Sequence, residues 1–188
     1  MYDPGVDAFE PRPSLRNGHW MTLYSWGNPR HFPRLPAPTR RYFDVAAATR
    51  VVADCHWQAR PWQHTTLVAL HGLNGSSEAH YMRGLAAKAW QRGWNAVLLN
   101  QRNCGGTEHL TPGLYHSGLT SDPRTVIACL SRTDGLRSIG LVGYSLGGNL
   151  AVRLVGELGD SSDLPVVGAV AISPTIDLEH CVRAIEKG

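Results

Sequence analysis

The sequence predicts an α/β fold in which a mostly parallel sheet carries helices on both faces. From residue 65 onward, short and continuously apolar segments alternate with longer amphipathic ones, as expected when buried parallel strands are joined by helices. One apolar segment ends in a glycine-rich turn that is followed at once by an amphipathic segment. The 188 residues, of which 43% are hydrophobic and 18% are charged, suffice for one domain with a core.

The N-terminal residues differ in composition from the rest of the chain. Seven of the 12 prolines precede residue 40, and proline interrupts regular structure, so we predict an irregular arm over residues 1–40. We expect this arm to pack on the following domain, 41–188, because it contains large apolar residues, namely Trp20, Met21, Leu23, Tyr24 and Trp26. The domain opens with two predicted strands, 41–45 and 49–57, whose short connection favours an antiparallel hairpin.

Strands and helices alternate after the hairpin. The predicted strands are 65–70, 95–100, 138–143 and 166–172, and the predicted helices are 78–92, 121–131, 147–158 and 178–185. Gly93 stands where a glycine commonly ends a helix. We expect strand 138–143 at the centre of the sheet, flanked by 95–100 and 166–172 and with 65–70 nearby, while the hairpin forms the margin.

The segment Gly143-Tyr144-Ser145-Leu146-Gly147 is a G-x-S-x-G motif between a predicted strand and a predicted helix. This context makes Ser145 a candidate nucleophile, because a tight strand-to-helix turn lifts a serine hydroxyl clear of the sheet edge. We predict a positive φ for Ser145, between about +50° and +70°. Gly143 and Gly147 are expected to be required, because side chains there would collide with the neighbouring strand and helix.

A second candidate loop, His71-Gly72-Leu73-Asn74-Gly75, follows the predicted strand 65–70. Such a loop commonly supplies one N–H of an oxyanion hole, and the residue after the nucleophile supplies another. We therefore predict the backbone amides of Leu73 and Leu146 as the donors, with His71 and Gly72 supporting the turn. His71 is interpreted as a residue that orders the loop and not as the base, because the base follows the serine in chains with this motif.

The residues after Ser145 supply no convincing partner for it. His180 is the only histidine there, and we predict that it lies on the surface of helix 178–185. Asp122 precedes the serine and is interpreted as a helix N-terminal residue stabilised by the helix dipole. We therefore expect the acid and the histidine of a triad to be absent from this chain, and strand 166–172 to be an exposed sheet edge.

The composition argues against several other classes of protein. The 18 Lys and Arg and 15 Asp and Glu give a net charge of +3, and the basic residues are too scattered for a nucleic-acid surface. No apolar run approaches the roughly 18 residues of a membrane span, and residues 1–10 do not resemble a secretory signal. The four cysteines show no C-x-x-C spacing, so we expect reduced thiols and a cytoplasmic location. Neither a metal nor a cofactor is expected. Cys104 lies in a glycine-flanked loop, and we interpret it as a structural cysteine in preference to a reactive thiol.

Taken together, these residues resemble the YheT-like branch of the α/β-hydrolases, a group of carboxylesterases and lipases related to monoacylglycerol lipases. The matching segments are RNGHWMT at 16–22, HGLNGS at 71–76, NQRNCGG at 100–106, YHSG at 115–118 with Asp122, GYSLGGN at 143–149 and PTIDLEHC at 174–181. The resemblance implies an α/β-hydrolase fold and a metal-free hydrolase of short acyl esters or monoacylglycerols. It also implies a Ser-Asp-His triad whose acid and histidine, with a lid and two further strands, follow the matched segments.

Other functions share these residues and stay open. A thioesterase, a perhydrolase or an acyltransferase would use the same serine and amides. The chain would be catalytically inactive, with at most a binding role, if the acid and the histidine are missing altogether. Dinucleotide binding is disfavoured because no G-x-G-x-x-G is present. The oligomeric state is not predicted.

Overall fold

Six strands form one sheet within residues 10–159 and 163–187, the part of the chain that the computed structural model describes. In chain order the strands are β1 (Thr39–Ala46), β2 (Thr49–His56), β3 (Thr66–Leu70), β4 (Asn95–Asn100), β5 (Ile139–Tyr144) and β6 (Val166–Ile172). The helices are α1 (Gly18–Gly27), α2 (His80–Gln91), α3 (Ser121–Asp134), α4 (Leu146–Leu158) and α5 (Leu178–Glu186). Their spatial order in the sheet is β1-β2-β4-β3-β5-β6.

The chain divides into two compact units, residues 1–31 and 32–188. In the first unit the prediction of an irregular arm is wrong over α1, which Asn17 caps by accepting the N–H of His19 at 2.9 Å. Such a cap satisfies an otherwise unpaired amide of the first turn, and the prolines lie outside the helix. Residues 39 and 40 belong to β1, residues 1–9 lie outside the described residues, and the packing of the arm on the domain stays a prediction.

The antiparallel margin and the pairing of strand 138–143 with strand 166–172 are confirmed, whereas the predicted pairing of 138–143 with 95–100 is wrong. β1 pairs antiparallel with β2, and β2 pairs antiparallel with β4. β5 lies between β3 and β6 and does not touch β4, because β3 separates the two. Apolar runs show that strands are buried but do not show on which side of β3 each helical crossover returns.

Two apolar cores cover the two faces of the sheet, which confirms the predicted α/β arrangement. On one face Val68 and Leu70 pack with the buried residues of α3 and α4. On the other face Leu67 and Ala69 pack with α2. This alternation along β3 follows from the two-residue period of a strand.

The far margin of the sheet is open. Within the described residues β6 pairs only with β5, and Val167 and Val170 are 67% and 56% exposed. α5 contains no buried residue. An edge with unpaired backbone groups and apolar side chains favours association with other chains. The described residues contain no helix that is long and apolar enough to cross a membrane.

Candidate active site

The candidate nucleophile lies at the point where the sheet changes direction of winding. β3 is followed by α2 and then by β4 on one side of it, whereas β5 is followed by α4 and then by β6 on the other side. The loop after β3 leads to α2 on one face of the sheet and the loop after β5 leads to α4 on the other. The carboxyl ends of these two neighbouring strands therefore form a topological switch point, and we call the region outside them the crevice. Ligands of open α/β sheets bind in such a crevice.

Ser145 occupies the turn between β5 and α4 in a strained conformation. Its φ of 50° and ψ of −116° confirm the predicted positive φ, and such angles are costly for a residue with a Cβ. Three backbone hydrogen bonds hold it: Ser145 donates to the Ile172 carbonyl at 3.0 Å, and its own carbonyl accepts from Asn149 at 3.1 Å and from Thr175 at 3.4 Å. The Ser145 hydroxyl forms no capping bond with α4.

The glycines around Ser145 are required by close backbone approach, as predicted. A Cβ on Gly147 would lie 2.5 Å from the His71 carbonyl oxygen and 2.7 Å from the Leu70 carbonyl carbon. A Cβ on Gly143 would lie 2.6 Å from the Gly148 nitrogen. Gly72 is also close, since its Cβ would be 3.2 Å from that of Ser145. The loop after β3 therefore passes directly beside the candidate nucleophile.

The N–H groups of Leu73 and Leu146, beside the crevice, have no hydrogen-bond acceptor within the described residues. The Leu146 N–H belongs to the first turn of α4, where the helix dipole favours negative charge. The neighbours of Leu73 differ from it, because the Gly72 N–H donates to the Tyr81 hydroxyl and the Asn74 N–H donates to the Tyr115 hydroxyl. Two N–H groups without an acceptor, one from each of the loops after β3 and β5, are the kind of donors that stabilise an oxyanion.

His71 is buried and bonded through both ring nitrogens. Nε2 accepts the Gln101 N–H at 3.1 Å, so the proton is on Nδ1, which donates to the Gly72 carbonyl at 2.7 Å. Burial lowers the pKa of His71, which keeps the ring neutral. A ring with this bonding orders the loop and has no nitrogen left to receive a proton from Ser145.

The family of this chain follows from a sequence match that covers the strands and loops around Ser145. The sequence model of a family described as alpha/beta hydrolase fold matches residues 65–188, which include β3, the loop after it and Ser145. The chain belongs to the α/β-hydrolase fold family.

Individual relatives confirm the resemblance to the YheT-like branch. The protein named Putative esterase YheT of Escherichia coli (strain K12) is 35% identical over 183 residues, which cover 96% of this chain and 52% of that protein. The monoacylglycerol lipase of Saccharomyces cerevisiae is 30% identical over 113 residues, 60% of this chain and 25% of that protein. A solved structure of the Pyrococcus furiosus esterase Pf2001 superposes with a TM-score of 0.66 at 19% identity, over 85% of this chain and 58% of that chain. This α/β-hydrolase chain therefore spans about half the length of its E. coli relative.

Asp122 and Cys104 of this α/β-hydrolase both have contacts that suit a structural role. Both carboxylate oxygens of Asp122 accept from Arg102, at 2.6 and 2.7 Å. The sequence did not predict this buried ion pair. Arg102 contacts the Asp122 carboxylate directly, in addition to the interaction expected with the helix dipole. Cys104 is buried, and burial raises the pKa of its thiol, as expected of a structural cysteine.

His180 lies on α5 with its side chain 87% exposed, as predicted. Its Nδ1 is 2.9 Å from an oxygen of Asp177, and Asp177 also caps the helix by accepting the His180 N–H. These bonds lower the pKa of Asp177. Among the described residues no histidine is hydrogen-bonded to the Ser145 hydroxyl, and no group of three or more potential ligands is placed to hold a metal ion.

Sequence reasoning missed the two tyrosines that bind the loop. Tyr81 lies within the predicted helix 78–92, where nothing in the sequence marks it for a polar role, and its hydroxyl lies 3.2 Å from the Gly72 nitrogen. Tyr115 stood in the motif YHSG without a role, and its hydroxyl lies 2.8 Å from the Asn74 nitrogen. The only available signal was that motif, since helical periodicity does not distinguish a tyrosine that packs from one that also bonds.

Proposed function

We propose that Ser145 is the nucleophile of a carboxylic ester hydrolase acting on short acyl esters or monoacylglycerols. The observation that carries this proposal is the strained turn of Ser145, with φ at 50°, at the crevice between β3 and β5. Strain of this kind persists where surrounding structure enforces it and concentrates at functional sites. The relatives named as an esterase and a monoacylglycerol lipase support the substrate class.

In the proposed reaction the Ser145 oxygen attacks the ester carbonyl carbon and its proton passes to a histidine. The carbonyl oxygen becomes an oxyanion, which the N–H groups of Leu73 and Leu146 stabilise. The alcohol then leaves with the proton from the histidine, and water hydrolyses the acyl-serine by the reverse sequence. No residue of this mechanism requires a metal.

The histidine and the acid of this mechanism are proposed to lie outside the 188 residues. His71 is bonded on both nitrogens, and His180 is exposed on α5. Loss of triad members lowers turnover by several powers of ten. The chain by itself is therefore expected to be a very poor esterase, and a binding role is the second candidate for it.

The test compares the 188-residue chain with a hybrid in which the C-terminal part of E. coli YheT is fused after residue 188. We expect the hybrid to hydrolyse p-nitrophenyl butyrate and a monoacylglycerol, and the chain alone to show at least about a thousandfold lower kcat. Ser145→Ala should abolish turnover by the hybrid, whereas the control Ser131→Ala, on α3, should not change it.

Each other outcome has a defined meaning. Ser145-dependent turnover by the chain alone at the rate of the hybrid would refute the external base and would bring His180 back as a candidate. A hybrid that folds but hydrolyses no ester or thioester would favour the binding role. Turnover that survives Ser145→Ala would refute Ser145 as the nucleophile.

A further inference from the structure

In the turn after β3, residues 71–75, the N–H groups of Gly72, Asn74 and Gly75 each donate a hydrogen bond. The turn is closed by the Gly75 N–H, which donates to the Gly72 carbonyl at 3.0 Å. Asn74 has a φ of 53°, a left-handed conformation that asparagine tolerates. Leu73 lies between these residues, and its N–H has no acceptor within residues 10–159 and 163–187.

Hydrogen bonds hold three successive peptide planes of this turn, and the first and third planes are held by residues outside it. In the plane joining His71 to Gly72, the carbonyl accepts from the Gln101 side chain at 2.8 Å and the N–H donates to Tyr81 at 3.2 Å. In the plane joining Gly72 to Leu73, the carbonyl accepts from His71 Nδ1 at 2.7 Å. In the plane joining Leu73 to Asn74, the N–H donates to Tyr115 at 2.8 Å.

The two tyrosines come from different elements and are themselves held. Tyr81 lies on α2, and its ring packs on Tyr144 with the ring centroids 4.7 Å apart. Tyr115 lies on the loop after β4, and its ring meets that of His71 edge-on at 6.3 Å. The turn is therefore held between α2 and the loop after β4. The two tyrosine hydroxyls accept hydrogen bonds from the N–H groups on either side of that of Leu73.

We propose that Tyr81 and Tyr115 are positioning residues, which hold the turn so that the Leu73 N–H is aimed at an oxyanion on Ser145. This inference rests on the proposed function. A trans peptide places its N–H opposite its carbonyl, so the bonds to the Gly72 oxygen set the direction of the Leu73 N–H. The tyrosines prevent the flanking planes from rotating, and a donor that is fixed in advance needs no reorganisation when charge develops.

The probe is phenylboronic acid. The Ser145 oxygen adds to boron, its proton passes to water without a catalytic base, and the resulting tetrahedral boronate anion resembles the ester intermediate. Binding to the 188-residue chain is followed by ¹¹B NMR over a range of pH, with Ser145→Ala to identify the adduct of that serine. The amide should stabilise the anionic adduct, so its pH midpoint should lie below that of the free acid. Removing one of several supports should weaken the anionic adduct about tenfold, less than loss of a donor.

Tyr81→Phe and Tyr115→Phe each remove one hydroxyl and keep the ring. Each is expected to raise the pH midpoint of the adduct by about one unit, which corresponds to the tenfold weaker anion. Tyr42→Phe is the matched control, because Tyr42 is an exposed residue of β1, and it should leave the midpoint unchanged. A merely structural defect would weaken the adduct equally at every pH and would not move the midpoint.

The failures are distinguishable. Ser145-dependent adducts with the same midpoint in both tyrosine variants and the unaltered chain would overturn this inference and leave the nucleophile in place. An unaltered chain that forms no adduct, or forms one that survives Ser145→Ala, would overturn the proposed function and this inference with it. If one variant fails to fold, as judged by circular dichroism, the other decides.

Discussion

Gly147→Ala tests the close packing that supports the candidate nucleophile. The added Cβ would lie 2.5 Å from the His71 carbonyl oxygen, whereas an unstrained contact of this kind needs about 3.5 Å. The end of β3 and the start of α4 would have to separate by about 1 Å, and both are backbone. Overpacking of a core costs about 1–3 kcal/mol, and we expect the upper end of that range because no flexible side chain can give way. A loss of about 3 kcal/mol corresponds to a melting temperature about 6–12 °C lower.

Gly156→Ala is the matched control in the same helix. An added Cβ at Gly156 meets nothing within 4 Å, and alanine exceeds glycine in helix propensity by about 1 kcal/mol. This variant should therefore melt about 2–4 °C higher than the unaltered chain. Thermal unfolding followed by circular dichroism at 222 nm, an α-helical wavelength, measures both. Equal melting temperatures for Gly147→Ala and the unaltered chain, or a similar loss in both variants, would refute the packing argument.

Three further predictions concern stability and association. Asp122→Ala should lower the free energy of unfolding in urea by about 3 kcal/mol, because it leaves the charge of Arg102 buried without its partner; a loss below about 0.5 kcal/mol would show that the ion pair is dispensable. The lowered pKa of His71 means that the unfolded chain takes up a proton before the folded chain does, so stability should fall as the pH drops below about 6.5, by at most about 1.4 kcal/mol per pH unit for this group. The fall should be smaller in His71→Gln, and an identical pH dependence would contradict the assignment. Val170→Lys should reduce self-association through the open β6 edge in sedimentation velocity, and an unchanged distribution of species would exclude that face.

The elements themselves could be predicted because each carries a local signal. The ranges predicted for β4 and β6 agree with Asn95–Asn100 and Val166–Ile172, since both are apolar runs bounded by turn residues. Gly93 has a φ of 73° just beyond α2, as expected of a glycine that ends a helix. The turn of Ser145 was also predictable, because glycines on both sides of a serine between a strand and a helix leave few other conformations.

The order of the strands and the tyrosine hydrogen bonds to the turn after β3 could not be predicted, because both depend on contacts between residues that are distant in the sequence. β4 and β5 lie on opposite sides of β3, and nothing in their apolar runs encodes the side. The hydroxyl of Tyr81 reaches Gly72 across nine residues and that of Tyr115 reaches Asn74 across 41. A single sequence reveals that a tyrosine is present, but the partner of its hydroxyl is set by the tertiary structure.

The conformation of Ser145 therefore depends on more of the chain than its motif. Its N–H is held by the Ile172 carbonyl at the end of β6, and its carbonyl accepts from Thr175 beyond that strand. Gly147 lies against the carbonyl groups at the end of β3. A backbone strain of about 1–3 kcal/mol persists only where such contacts over-determine it. The serine of a G-x-S-x-G segment consequently becomes a candidate nucleophile when contacts with the strands on both sides, here β3 and β6, fix its conformation. A displacement of β6 would act on Ser145 through the backbone without any change in the motif.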